Sequence, residues 1–181
     1  KFNALGDKLA AQFDAVEVLP GVHANGRFTL GENIGDHGGL SIAFSAMQNA
    51  LKEKNPGLID GFTPEQRFYL SYGNIWAQNI TDQEIARRTN MDPHSIGENR
   101  VNVSIRNFQS FFDAFGIKEG DPMWRPEAEG SNLVTSSAGD ERVKANSGTT
   151  PFRRKDSIGV DSCFFPHYDC RRLGLIRFPA G

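Results

Sequence analysis

The sequence predicts a mainly α-helical domain over residues 1–129, followed by a tail of different character over 130–181. Three observations carry this. Apolar residues recur at helical spacing in 1–16 and again after Glu32. Thr63-Pro64-Glu65-Gln66 and Thr81-Asp82-Gln83-Glu84 both read as capping boxes that start helices. From Gly130 the chain turns rich in Ser, Thr, Asn and Gly, with no sustained apolar period.

Charge supports the same division. The chain of 181 residues has 20 Lys/Arg and 22 Asp/Glu, net −2. Residues 1–129 hold 12 basic and 17 acidic side chains, net −5, whereas 130–181 hold 8 and 5, net +3. No bulk field points to nucleic acid or a membrane surface, and no apolar run is long enough to cross a bilayer. The first residue is Lys1 rather than methionine, so the chain is expected to be a piece of a longer protein.

Phe2, Leu5, Leu9, Phe13 and Val16 predict an amphipathic first helix, stopped by Leu19-Pro20-Gly21. Val22 and Phe28-Thr29-Leu30 are short extended candidates. A helix from about Glu32 to Lys54 follows, with Ile34, Leu40, Ala43, Phe44, Met47 and Leu51 on its apolar side, and Asn55-Pro56-Gly57 ends it. The Thr63 helix carries Phe68, Leu70, Tyr72, Ile75 and Trp76 nearly all round, the pattern of a buried helix. Arg100-Val101-Asn102-Val103 reads as briefly extended. Asn107 to Phe115 reads as a short helix, with Phe108, Phe111, Phe112 and Phe115 toward a core and Gly116 as its stop.

Within Gly31-Glu32-Asn33-Ile34-Gly35-Asp36-His37-Gly38-Gly39-Leu40, Glu32 and Asp36 stand four apart and so on one helical face. The glycines around them suggest a closely packed neighbour. Such a pair is either an acidic helix start matched to the helix dipole or half of a metal site. A different class is also open: residues 80–106 outline a helix-turn-helix DNA-binding module around Glu84-Ile85-Ala86. It fails in its second helix, which holds Gly97 in acidic surroundings where a groove reader needs phosphate-binding charge.

Four blocks, taken in order, decide between these. They are Val18-Leu19-Pro20-Gly21-Val22-His23-Ala24-Asn25-Gly26; the Gly31–Leu40 stretch; Thr63 through Tyr72 ending at Trp76; and Asp92-Pro93-His94-Ser95 with Arg100-Val101-Asn102 and Asn107 through Gly116, closing at Gly120-Asp121-Pro122-Met123. Together they resemble the C-terminal part of the catalytic domain of the neprilysin / endothelin-converting-enzyme family of zinc metallopeptidases. The resemblance implies the C-terminal portion of a thermolysin-like (gluzincin) fold and a metalloendopeptidase that cleaves peptide substrates with zinc-activated water. It assigns Glu32 as the zinc ligand and Asp36 as the acceptor that fixes a ligating histidine. His94 becomes the donor to the oxyanion and Arg100 the holder of substrate carbonyls. Plainer roles stand beside these: a solvated helix start for the two acids, a turn for His94, and an ion pair with Glu98 for Arg100. His23 and His37 read as structural or solvent-facing.

The match has gaps. The family's two imidazole ligands and general base come from a His-Glu-x-x-His helix. The histidines here are His23, His37, His94 and His167, none followed by glutamate. The rest of the zinc site is therefore expected upstream of Lys1, and this chain alone is expected to be an inactive, peptidase-like fragment. Gly35 stands where alanine is usual, Ile96 where proline is, and Val103 where glycine is. Family members act mostly outside the cytoplasm, some as membrane-anchored ectoenzymes, so the same location is expected here, with any anchor in the missing N-terminal region. The tail from Gly130 resembles nothing in the family and is expected to be disordered or frame-shifted, outside the folded domain. In it, Cys163 and Cys170 suit a local disulfide or free thiols; with His167 they supply three metal ligands, one short of a closed zinc site.

Overall fold

The computed structural model describes residues 2–131; the tail expectations beyond Ser131, including those for Cys163, His167 and Cys170, lie outside the described residues. The described chain is mostly helical. Helix α1 (Phe2–Asp14) leads into a hairpin of β1 (Glu17–Leu19) and β2 (Val22–His23), then α2 (Leu30–Glu53), α3 (Pro64–Ile75), α4 (Asp82–Met91), α5 (Gly97–Asn102) and α6 (Gln109–Phe115). Single 3₁₀ turns at Ile105–Asn107 and Glu127–Glu129 complete it.

The hairpin is antiparallel, with Glu17 opposite His23 and Leu19 opposite Val22. Its turn needs Gly21, whose φ is +75°, a conformation that costs a side-chain-bearing residue. The α3 start is the expected reciprocal capping box: Thr63 Oγ1 accepts from Gln66 N at 3.2 Å, and Gln66 Oε1 accepts from Thr63 N at 3.0 Å. The α6 stop is also as expected, with Gly116 left-handed at φ 64°.

Two apolar clusters meet at α5. One holds Tyr69, Val101, Ile105, Phe111, Phe112 and Met123, with Phe44, Phe68 and Trp76 packed on it. Tyr69 and Phe111 meet edge-on at 5.2 Å between centroids, a favoured aromatic geometry. The other joins Leu9 and Phe13 of α1 to Val103, with Leu30 and Ile34 of α2 beside them. The last described residues close over α1: Ser131 Oγ donates to Leu5 O at 2.8 Å, and Gln12 Nε2 donates to Glu129 O at 2.8 Å. Ser131 thus packs against α1, and its N–H donates to Asn107 Oδ1.

Several expectations are corrected. Phe28 and Thr29 lie in a turn, and Leu30 is already helical, because Thr29 N and Asn33 N bond back to Asn25 O and Thr29 O. Residues 100–102 are helical; Val101, Val103 and Ile105 are all buried, and that alternation mimics a strand while they divide between two clusters. Helix α3 is buried on one side only, at Tyr69 and Gly73, and Ile75 is 68% exposed. Three glycines of α2 do not mark a close neighbour: a Cβ at Gly31, Gly35 or Gly39 would meet nothing within 4 Å.

Candidate metal centre

Helix α2 begins without a side chain capping its backbone. Instead Thr29 Oγ1 donates to Asn25 O and accepts from Asn33 Nδ2, each at 3.0 Å. Asn33 Oδ1 then accepts from Ser95 Oγ at 3.0 Å. Both Asn33 and Ser95 are buried, where an unmade hydrogen bond is costly. This staple, spanning 62 residues of sequence, holds the first turn of α2 against the loop that enters α5.

The four predicted residues converge on that junction. Arg100 is bidentate to Asp36: Nε to Oδ2 at 2.7 Å and Nη2 to Oδ1 at 2.8 Å. Their side chains are 10% and 11% exposed. Arg100 Nη2 also lies 3.8 Å from Glu32 Oε2, and His94 Nε2 lies 3.3 Å from the same oxygen. The Trp76 ring stacks under the Arg100 guanidinium at 3.9 Å, and Tyr72 Oη donates to Arg100 O at 3.2 Å. Glu32 and His94 are close to half exposed, so they form the open side of the site.

His94 is aimed from behind. Asp92 Oδ1 accepts from both His94 N at 3.0 Å and His94 Nδ1 at 2.7 Å, and Arg88 Nε donates to Asp92 Oδ2 at 3.0 Å. The His94 backbone N–H, then its ring, then Arg88, hold the Asp92 carboxyl down at about 2 against a small opposing effect of burial. Asp92 is thus an anion that accepts the Nδ1–H of His94 and fixes the ring with Nε2 turned toward Glu32. For Arg100, burial works against the charge, but the Asp36 hydrogen bonds and charge outweigh it and raise its pKa. Burial, then the Asp36 carboxylate, pushes the Tyr72 phenol up, so it stays a neutral donor.

Asp36 was expected to face a ligating histidine, whereas in this structure both its oxygens engage Arg100. A carboxylate has about four acceptor positions, so this leaves room for a second donor. The Glu98 alternative for Arg100 gives way to Asp36. His37 is neither solvent-facing nor part of this face; it is 2% exposed against Phe108, and burial holds its pKa down to about 4. Sequence reasoning missed Asp92, Arg88, Trp76 and the Asn33–Ser95 staple. An Asp-x-His spacing was the local signal for Asp92 and an i, i+4 Arg–Asp spacing the one for Arg88; Trp76 and the staple are joined only by the fold. As for the DNA-binding reading, α5 has six residues and buries Gly97, Asn99, Arg100 and Val101, so it offers no second helix to a groove.

Among the described residues no three His, Cys, Asp or Glu side chains gather as a metal-binding group. The described donor set could offer one ligand rather than a closed centre: Glu32 is an accessible carboxylate at the mouth of a polar, hydrogen-bonded junction.

Comparison with known families matches residues 1–130 to peptidase family M13. The chain belongs to that family. It is 33% identical over 129 residues to neprilysin-3 of Drosophila melanogaster, covering 68% of this chain and 16% of that protein. It is 40% identical over 108 residues to bovine endothelin-converting enzyme 1, covering 57% and 14%. The inhibitor complex of the zinc metalloprotease Zmp1 from Mycobacterium tuberculosis superposes with a TM-score of 0.69 at 38% identity, covering 72% of this chain and 21% of that one. This M13 chain therefore spans about a fifth or less of the length of these relatives.

Proposed function

We propose that this M13 chain supplies the C-terminal share of a zinc metalloendopeptidase site, with peptides as substrates. The observation that carries the reading is the convergence of Glu32, Asp36, His94 and Arg100 from two helices and a loop onto one junction. Glu32 contributes a single carboxylate to the metal, alongside two imidazoles from a segment outside this chain. When bound, zinc supplies a Lewis acid and a water nucleophile of lowered pKa.

The remaining steps belong to the residues present. Asp36 engages Nε and Nη2 of Arg100, and Trp76 holds one face of the guanidinium. That leaves the Nη1 edge, with its two N–H donors, for a substrate carbonyl. Asp36 is thus a positioning residue for Arg100, and its remaining acceptor capacity suits the ring N–H of a ligating histidine. Asp92 accepts the Nδ1–H of His94 and so turns Nε2 to the Glu32 side, where an oxyanion forms during peptide cleavage; Nε2 donates to it from the doubly protonated ring, in which both nitrogens are donors. Loss of one such donor costs about 2.7 to 4 kcal/mol of transition-state stabilisation. Among the described residues no helix is long and apolar enough to cross a membrane; an extracytoplasmic location is part of this proposal and rests on the family resemblance.

The test uses the polypeptide in which this chain follows a His-Glu-x-x-His segment. Glu32→Ala should strip zinc from the purified protein, read by elemental analysis. His94→Gln should keep zinc and lower kcat about 10²- to 10³-fold with KM little changed. Full zinc occupancy in Glu32→Ala would overturn the assignment.

A further inference from the structure

Away from that junction, the 3₁₀ turn at Ile105–Asn107 and the closing strap, residues 124–131, bring a half-buried arginine, Arg106, beside a buried one, Arg125. Arg106 Nη2 donates to the Trp124 carbonyl at 3.2 Å, which sets its guanidinium beside Arg125. Arg125 is 8% exposed. The two cations are close enough to repel one another, and the acid that acts on both, Glu129, is exposed and forms no ion pair with either among the described residues. Arg106 Nε and Arg125 Nη1 are buried with no hydrogen-bond partner. The His37 ring reaches the same place: it senses the Arg125 charge, lies by the Ser131 backbone, and leaves its buried Nε2 without a partner.

A buried charge without a counter-ion is rare because desolvation is expensive. An unpartnered buried donor in a native fold points to a water or an ion that completes it. Water could satisfy the N–H groups but would leave two adjacent positive charges with no ion pair among the described residues. An anion does both, and a planar carboxylate matches the guanidinium fork better than a spherical ion. We infer that Arg106 and Arg125, with the His37 ring beside them, form a buried anion site that takes a compact carboxylate. The site is separate from the Glu32–Arg100 junction and does not depend on the metal reading. It would tie α2, the 3₁₀ turn after α5 and the closing strap through one shared ligand.

The full chain is tested with sodium acetate against sodium chloride at matched ionic strength and pH 7. Once acetate exceeds its dissociation constant, Tm should climb by about 3 to 6 °C for each further decade of concentration, with no such climb in chloride. Arg125→Met should lose the acetate response while being no less stable than the wild type in chloride, since it removes a buried charge that no described residue pairs. If that variant does not fold, nitrogen-15 NMR of the His37 ring in the wild-type chain decides: its signals should shift saturably with acetate and not with chloride. Equal responses to the two salts, or an unmoved His37 ring, would overturn the proposal.

Discussion

Replacing Asp36 by asparagine removes the charge that faces Arg100 while keeping the side chain's size. With 10% and 11% of the two side chains exposed, the value for a solvated pair, about 0 to 1 kcal/mol, does not apply. Breaking a buried pair by removing one partner costs about 3 to 5 kcal/mol, because the other charge is left behind. Two features soften the loss here: Glu32 lies 3.8 Å from Arg100 Nη2, and the Trp76 ring stacks at 3.9 Å. The expected cost is therefore at the lower end, about 3 kcal/mol. In urea, with a slope of about 1 to 3 kcal/mol per molar, the unfolding midpoint should fall by about 1 to 3 M. Adding Arg100→Met should recover part of the loss, so the double variant is less destabilised than the two single losses added together. A midpoint change worth less than about 1 kcal/mol, or strict additivity, would refute the picture of a desolvated, mutually dependent pair.

Two further outcomes follow from buried groups. His37 titrates at about 4 in the fold against an ordinary 6.5, so between those values the unfolded chain binds the proton and the folded chain does not. Its contribution is intact above pH 6.5 and is lost as pH falls toward 4, amounting to about 3 kcal/mol; in His37→Gln, urea unfolding at pH 7 and pH 4 should differ by that much less. A Cβ at Gly97 would sit 2.4 Å from the Trp76 carbonyl oxygen and 2.9 Å from Gln78 Nε2. Gly97→Ala must therefore shift the start of α5, costing about 1 to 3 kcal/mol in unfolding and loosening the Arg100–Asp36 pair that α5 carries. Unchanged stability would mean the close approach does not constrain α5.

How much of this was legible beforehand depended on whether the signal was local. The capping box at Thr63 and the glycine stop at Gly116 were readable because the interacting atoms belong to residues three or four apart. The i, i+4 placement of Glu32 and Asp36 on one helical face was readable for the same reason. The stretch at 100–103 was not: Val101 and Val103 are separated by two, the strand period, yet Val101 lies in α5 and Val103 caps it, each packed into a different apolar cluster.

By itself, then, the sequence determined that residues 1–129 are chiefly helical, where the main helices start and stop, and that its ordered blocks resemble one metallopeptidase family. Periodicity, caps and motif order are properties of neighbours along the chain, and they need no knowledge of what packs where. Only the tertiary structure decided that Asp36 holds Arg100, that Asp92 and Arg88 orient His94, and that Asn33 is bonded to Ser95. It alone set Arg106 beside a buried Arg125, with no ion pair to either among the described residues. Each of these pairings except the Arg88–Asp92–His94 run joins residues 19 or more positions apart. Their partners are chosen by which polar groups burial strands near one another, and no local pattern encodes that.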